Sequence, residues 1–534
     1  MQHLLSLLIF LPLGAAVLAL FFPAENKNFF RLLALGVSLI QVIVLLFIFQ
    51  SYSTADGGFQ LVEKISWIDL QLGTWGSMKA EYFVGLDGLS LCMIFLSVLV
   101  TLIAVISSWK IEKQIKGYFI LFLILNTAVI GSFCALDLLL FYLFFEFMLL
   151  PMYFLIGIWG GPRREYASIK FFLYTLLGSI LILIVVIALY ISVKDPHGIP
   201  GSITHSFNIT YMSDPANFID GSLLHPTSGW MIGPYSARLW AFLFLFIGFA
   251  IKLPMVPLHT WLPDAHVEAP TAVSVLLAAL LLKIEGYGIL RLAYPVFPDG
   301  AIHFSQMVGF FGVVSIIYGA MNALASKDLK RLIAYSSVSH MGFVLLGIAS
   351  VTVEGISGAV YQMFSHGIIS AMLFLLAGVI SDRTHDRMIE NYSGLSSKMP
   401  VFTGFVVVAF FASLGLPGFS GFIAEILTLL GAFHSHEANH LLPMWMPIVA
   451  TTGLLLSAAY YLWTIQRMFY GKFHYKGEST SALYDIDRRE YSMLLPLALL
   501  ILCFGILPQL LLNFINPFAE HTVQTVLNWG GLNP

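Results

Sequence analysis

The chain has 534 residues, of which 58% are hydrophobic and only 10% are charged, and its mean hydropathy is +0.87. A soluble domain carries about 25% charged residues, so this composition predicts one large helical bundle in a membrane and argues against several soluble domains. The formal net charge of −3 provides no basic excess and excludes nucleic acid as a partner.

Apolar runs separated by polar breaks predict an all-α polytopic membrane protein with about fourteen membrane-spanning helices. In the first half these lie near residues 3–22, 30–50, 82–108, 118–134, 137–159, 168–193 and 238–258. In the second half they lie near 270–294, 303–325, 332–350, 355–380, 400–432, 445–470 and 491–516. The polar segments 51–81 and 194–237 are predicted to be loops outside the membrane.

The distribution of basic residues predicts the orientation. Of the 26 Lys and Arg residues, 19 fall in loops after odd-numbered helices and 5 in loops after even-numbered helices. Because cytoplasmic loops are enriched in Lys and Arg, the odd loops are predicted to be cytoplasmic and both termini periplasmic. The two remaining cations, Lys252 and Lys283, lie near the middle of apolar spans.

These two lysines are the first candidates for function. An ionisable side chain in the middle of a membrane is costly, faces the bundle interior and often marks an ion path. Glu146, in FYLFFEFMLLPMYF, and Glu425, in GFIAEILTLLGAF, are predicted at matching depth. A buried Glu–Lys pair stabilises both charges and can switch the protonation of the lysine. Lysines that extend to the membrane surface, and glutamates that only join two helices, are the alternatives.

Glu285 also lies in a span, two residues after Lys283. Two residues turn an α-helix through about 200°, so these side chains should not face each other. Glu285 is therefore predicted to be structural or peripheral.

Two of the predicted spans contain helix-breaking residues beside a charge. Pro254 and Pro257 follow Lys252, and Pro417, flanked by glycines, precedes Glu425. A proline removes a backbone donor, which inside a bilayer is tolerated where protein or a water-filled cavity satisfies the freed groups. Broken helices beside buried charges are typical of ion-coupled transporters.

Histidines and cysteines give weaker signals. His340 and His366 lie within spans, where a histidine can relay protons or only satisfy a neighbour's hydrogen bond. The segment HTWLPDAHVEAP, residues 259–270, is predicted to be a cytoplasmic-side loop that either forms a funnel for incoming protons or only packs. The three cysteines stand singly, and no nucleotide-binding glycine motif occurs, so no metal or cofactor site is predicted.

The block IKLPMVPLHTWLPDAHVEAPTAVSVLLAALLLK closely resembles the antiporter-like proton-translocating family shared by complex I and the Mrp cation/proton antiporters. FEFMLLPMYFLIGIWGG, SKDLKRLIAYSSVSHMGF and LGLPGFSGFIAEI resemble it too, and the similarity covers roughly residues 80–480. The resemblance implies two inverted five-helix repeats, residues 118–294 (helices 4 to 8) and 303–470 (helices 9 to 13), each with a broken helix.

The resemblance also implies roles for individual residues. Glu146 and Lys252 correspond to the coupling pair, Lys283 to the central relay, Glu425 to the terminal exit residue, and His340 and His366 to the hydrophilic axis between them. The M-type branch of the complex I subunits carries glutamate where the L and N types carry lysine. Glu425 and the short tail after residue 516 therefore predict the M type, in a bacterial plasma membrane.

The implied function is that of a proton-translocating subunit of NADH:quinone oxidoreductase that carries no redox centre itself. FMN, iron-sulfur clusters and quinone are expected in partner subunits, and neighbouring antiporter-like subunits, the lipid bilayer and protons are the expected partners. One alternative is an Mrp-type subunit that exchanges a cation for protons. Another is a purely structural membrane anchor for a peripheral enzyme.

Overall fold

A computed structural model describes residues 3–54, 57–71, 77–198, 204–477 and 483–529. Within these residues, eleven helices are long and apolar enough to cross a membrane. The protein is thus a mostly helical, multi-pass membrane protein.

The helices of the first half occupy most of the predicted positions. They are α1 (Leu4–Leu20), α2 (Lys27–Ser51), α3 (Gly88–Ser107), α4 (Ile115–Cys134), α5 (Leu138–Phe147), α6 (Leu149–Trp159), α7 (Arg164–Ser192), α8 (Ile209–Met212), α9 (Ala237–Lys252) and α10 (Trp261–Glu268). Helices α5 and α6 together form one span, Leu138–Trp159.

The second half contains the remaining helices. They are α11 (Thr271–Leu276), α12 (Leu282–Gly288), α13 (Tyr294–Val296), α14 (Pro298–His303), α15 (Ser305–Ala325), α16 (Leu329–Ser350), α17 (Val353–Thr384), α18 (Pro400–Ser413), α19 (Ser420–Ala438), α20 (Trp445–Phe469), α21 (Arg488–Ile506) and α22 (Gln509–Trp529). Two π-helical turns, Leu277–Leu281 and Ile289–Ala293, join α11, α12 and α13 into one span, Thr271–Val296.

Three spans form the centre of the bundle. Thr271–Val296, α16 and α17 are 94 to 100% buried over their most apolar stretches, whereas α2, at the periphery, is 39% buried. A span enclosed on all sides by protein can carry polar side chains that lipid would not tolerate. These three spans contain Lys283, His340 and His366.

A small sheet replaces part of the predicted loop 51–81. Strand β1 (Gln60–Gln71) pairs antiparallel with β2 (Ser77–Leu86), and β2 pairs in parallel with β3 (Thr204–Ser206). The all-α prediction is corrected accordingly. The aromatic and β-branched residues of β2 were assigned to the start of helix 82–108, but such residues also favour strands.

The third span therefore begins at Gly88 and not at residue 82. The Asp87 carboxylate accepts a hydrogen bond of 2.9 Å from the backbone N–H of Ser90 and so caps α3. Four further short strands form two antiparallel pairs, β4 (Met231–Ile232) with β5 (Tyr235–Ser236) and β6 (Tyr392–Ser393) with β7 (His474–Tyr475).

Three predicted spans are each divided in the structure. The span predicted at 238–258 ends at Lys252, and the one at 400–432 separates into α18 and α19. The last, at 491–516, separates into α21 and α22, because Pro508 disfavours a helical conformation at the residue before it. All fourteen predicted positions contain helix, and the count of fourteen complete spans remains a prediction.

Candidate functional site

Lys252 and Glu146 lie side by side in the structure. The Lys252 Nζ atom is 3.9 Å from Glu146 Oε1 and 3.3 Å from the centroid of the Phe145 ring. The lysine side chain is 4% exposed and that of Glu146 is 24% exposed. Among the described residues, neither the Nζ atom nor Oε1 has a hydrogen-bond partner. This is a loose ion pair, which can be separated without breaking a network of hydrogen bonds.

The first broken helix explains why the lysine lies there. Helix α9 ends at Lys252, and residues 253–257, which include Pro254 and Pro257, separate it from the next helical turn. A cation at a helix C-terminus is stabilised by the carbonyl end of the helix dipole. The break therefore provides part of the stabilisation that a buried ammonium requires.

Other side chains satisfy backbone groups beside this break. The Val256 N–H donates to Ser315 Oγ on α15 at 3.1 Å, and the Trp261 indole N–H donates to the Ile251 carbonyl at 2.8 Å. Irregular backbone within a membrane requires such partners.

Lys283 forms the centre of the site. Its side chain is fully buried on α12, and Nζ donates to the Ala278 carbonyl at 2.5 Å. The same Nζ lies 2.7 Å from His366 Nδ1 on α17. When the lysine is charged, its ammonium donates and the histidine nitrogen must be unprotonated. Ala278 belongs to a π-helical turn, a feature that is frequent at functional sites.

A second histidine continues the line from Lys283. The ring centroids of His366 and His340 are 5.4 Å apart, and His340 Nδ1 lies 3.4 Å from Glu425 Oε1. Gln362 Nε2 approaches the same Nδ1 atom at 3.2 Å. A small cavity lies between the two histidines and Glu425. Lys283, His366, His340 and Glu425 thus form one buried series of titratable groups.

The second broken helix leaves space for the Glu425 carboxylate. Helix α18 ends at Ser413 and α19 begins at Ser420, with Pro417 between them. Gly415 has a φ of +74°, and a Cβ atom there would collide with Glu425 Oε2. Only a glycine satisfies both the backbone conformation and this close approach.

The structure does not bring all the predicted residues together. Lys252 shares no bonding partner with Lys283: its Nζ atom has no hydrogen-bond partner among the described residues, whereas Lys283 Nζ contacts Ala278 and His366. As predicted from its position, Glu285 does not pair with Lys283, but it is not peripheral. It is 2% exposed and lies on α12, which packs against α9, the helix that ends at Lys252.

Residues 259–270 are not the predicted loop. They contain the end of a 3₁₀ turn and helix α10, with His266 fully buried and stacked on Phe374 at 4.3 Å. Asp264 accepts a hydrogen bond of 2.7 Å from Lys170. Pro263 lies in the first turn of the helix, where a missing N–H costs little, so a proline-containing segment can form α10.

Several residues at the site were not predicted. His340 Nε2 is 3.1 Å from Ser413 Oγ, which is 2.6 Å from the Tyr461 hydroxyl, so two hydroxyl groups branch from the series at His340. Arg291, counted above as a loop cation, is 5% exposed and pairs with Asp87 at 2.6 Å. The available signal for this pair was a charged residue near one end of each of two predicted spans, Asp87 in 82–108 and Arg291 in 270–294.

Among the residues with described positions, no group of three or more His, Cys, Asp or Glu side chains could hold a metal ion.

Known proteins are similar to this chain over most of its length. The family model described as "NADH:quinone oxidoreductase/Mrp antiporter, TM" matches residues 135–452. NADH-quinone oxidoreductase subunit M of Rhodobacter capsulatus is 42% identical over 98% of this chain and 97% of its own length. Subunit M of Rickettsia prowazekii (strain Madrid E) is 39% identical over 97% of this chain and 98% of its own. The resemblance to the M-type branch is confirmed.

Solved structures are similar over nearly the whole chain. One chain of respiratory complex I from Thermus thermophilus has a TM-score of 0.80 and 30% identity, and the match covers 98% of this chain and 99% of that chain. A chain of the Mrp complex from Dietzia sp. DQ12-45-1b has the same TM-score and coverage at 21% identity, which shows the shared fold. The protein therefore belongs to the NADH:quinone oxidoreductase/Mrp antiporter transmembrane family.

Proposed function

We propose that this chain is a proton-translocating, antiporter-like membrane subunit of a respiratory NADH:quinone oxidoreductase, of the M type. Electron transfer takes place in partner subunits, where FMN, iron-sulfur clusters and quinone bind. This chain uses the energy that they release to move protons across the membrane.

The buried series from Lys283 to Glu425 is the observation that carries the proposal. Its four titratable side chains come from the enclosed centre of the bundle and from α19, with successive separations of 2.7, 5.4 and 3.4 Å between the stated atoms or ring centroids. A structural anchor would not require ionisable groups at this depth, because each is costly to bury. Lysine, histidine and glutamate can all bind and release a proton, as a relay requires.

The Glu146–Lys252 pair supplies the switch. When Glu146 moves away or binds a proton, Lys252 loses part of the attraction that stabilises its charge. The altered charge then acts on Lys283, and the proton passes through His366 and His340 to Glu425. The looseness of the 3.9 Å pair supports this role, since a fully hydrogen-bonded pair would be harder to open.

The proposed function also implies a domain organisation. We assign residues 118–294 and 303–470 to two inverted five-helix repeats within fourteen spans. The fourth span of each repeat is the broken one, α9 with α10 in the first and α18 with α19 in the second, which supports a common plan. The protein would lie in a bacterial plasma membrane, with both termini periplasmic and with neighbouring antiporter-like subunits beside it.

The Mrp-type alternative rests on the fold alone, because the Mrp structure is 21% identical. The relatives named NADH-quinone oxidoreductase are 38 to 42% identical over nearly the full chain and favour the complex I reading.

Lys283→Met tests the proposal. In sealed membrane vesicles, it should lower proton uptake and NADH-driven quinone reduction together, because the relay loses its central group, while the complex still assembles. Lys27→Met, which removes an exposed lysine at the start of α2, is the matched control and should change neither. Full proton uptake by Lys283→Met would contradict the proposal.

A further inference from the structure

Glu285 is a buried carboxylate to which the pathway above gives no role. It lies on α12, which packs against α4, α9 and α17, and it is 2% exposed. Its Oε2 atom has no hydrogen-bond partner among the described residues. Burial of such a group without compensation is unfavourable, so a charged neighbour is expected.

Lys283, two residues away, is not that neighbour. Its ammonium donates to Ala278 and lies against His366, on the other side of α12. A separation of two residues turns the helix by about 200°, so Glu285 points away from this contact.

Lys252, the last residue of α9, is the buried cation on a helix that α12 contacts, and its Nζ atom also has no hydrogen-bond partner among the described residues. Two buried or half-buried carboxylates thus surround the Lys252 ammonium: Glu146 lies 3.9 Å from Nζ, and Glu285 lies beyond ion-pair distance on the adjoining helix. Glu146 is 24% exposed, so solvent screens its charge, whereas Glu285 is enclosed by protein and its charge acts over a longer distance. Glu146 and Glu285 in turn repel each other.

We propose that Glu285 is a second counter-ion of Lys252, which holds the ammonium charge in place when Glu146 moves away or becomes protonated. This inference rests on the proposed function, because it assigns a role within the same switch. Glu285 acts on proton transfer through Lys252 and is a positioning residue. The lysine would exchange one carboxylate partner for another during turnover instead of losing its only one.

A double-mutant cycle tests the inference in the assembled complex. Glu146→Gln, Glu285→Gln and the double variant are compared for proton uptake in sealed vesicles. If the two carboxylates substitute for each other, each single variant keeps part of the proton uptake. The uptake of the double variant then falls below the value obtained by multiplying the fractions that the two single variants retain. We expect this excess loss to be about tenfold, as is typical of groups that share a partner.

Two variants separate this effect from a structural one. In the Glu146→Gln background, Glu285→Asp should retain most of the remaining uptake, because it keeps the charge. Glu354→Gln, which removes a half-exposed carboxylate elsewhere, should combine multiplicatively with Glu146→Gln. If Glu285→Gln does not assemble, Glu285→Met replaces it, since an apolar side chain of similar size is tolerated in a buried site, and the same excess loss is expected.

Purely multiplicative effects of Glu146 and Glu285 would overturn the inference. Lys252→Met distinguishes this result from a failure of the proposed function. If Lys252→Met loses uptake and the Glu146 and Glu285 effects are multiplicative, only the role of Glu285 as a second counter-ion is overturned. Normal uptake in Lys252→Met would overturn the switch and with it the second counter-ion, whereas the proposed function itself fails only if Lys283→Met also keeps full uptake.

Discussion

At residue 415, the missing side chain makes room for a carboxylate ten residues further along the chain. The backbone there has a φ of +74°, and the space that a Cβ would occupy is taken by Glu425 Oε2. Gly404, on α18, has no heavy atom within 4 Å of the equivalent position. Gly415 therefore leaves space for the Glu425 carboxylate, whereas Gly404, in the same predicted span, leaves space for no neighbouring side chain.

Gly415→Ala should displace the Glu425 carboxylate from His340 and strain the backbone, at a cost of about 1 kcal/mol or more. We expect proton uptake in sealed vesicles to fall severalfold in complexes that still assemble. Gly404→Ala should leave uptake unchanged, because a helical alanine is at least as favourable as glycine. Equal uptake by both variants would show that the position of the carboxylate does not limit transfer.

Single charges in apolar runs are visible in a sequence, which is why Lys252, Lys283, Glu146 and Glu425 could be proposed as site residues. Ser413, Tyr461 and Gln362 could not be, since polar uncharged residues occur in many spans for packing reasons alone. The direction of Glu285 away from Lys283 followed from helix geometry. The packing of its helix, α12, against the helix that ends at Lys252 could not be predicted, because nothing local in the sequence encodes it.

Among the elements, the two broken helices could be predicted because proline and glycine inside an apolar run disrupt a helix. The sheet was not, because the apolar residues of β2 continue directly into α3 without a polar break. Helix α22 was also missed, since it is less apolar than the spans and follows α21 after only two residues.

The break after Lys252 depends on one hydroxyl from another helix. Ser315→Ala would leave the Val256 N–H without its partner, at a cost of about 1 to 3 kcal/mol. Hydrogen exchange at residues 253–257 of the purified complex should accelerate by roughly the corresponding 5- to 150-fold. Ser38→Ala is the control, because Ser38 bonds only the Ala34 carbonyl of its own helix. Unchanged exchange in Ser315→Ala would show that another group fixes the break.

For the whole molecule, α22 bears on the predicted orientation. Its Asn516 accepts a hydrogen bond of 2.9 Å from Ser357, near the start of α17, and the Trp529 ring lies 5.3 Å from the Arg238 guanidinium. Both partners lie at the end of the bundle that the distribution of Lys and Arg predicts to be periplasmic. The last described helix therefore lies at the same end as the predicted C-terminus.

An accessibility tag tests this orientation. A tag after Pro534, which lies outside the described residues, should be labelled from the periplasmic side of intact cells. A tag between Lys472 and Arg489 should be labelled only after the cytoplasmic side is exposed. Labelling of both tags from one side would mean that a span had been miscounted.

The central claim is that protons cross by way of the buried series that ends at Glu425. The most direct test is the number of protons moved per electron pair, measured with a pH-sensitive dye in sealed vesicles that contain assembled complexes. Glu425→Asp should retain substantial pumping and Glu425→Lys part of it, because each keeps a group that can bind a proton. Glu425→Gln and Glu425→Ala should lower both proton output and quinone reduction. An unchanged ratio and full turnover in Glu425→Ala would contradict the account.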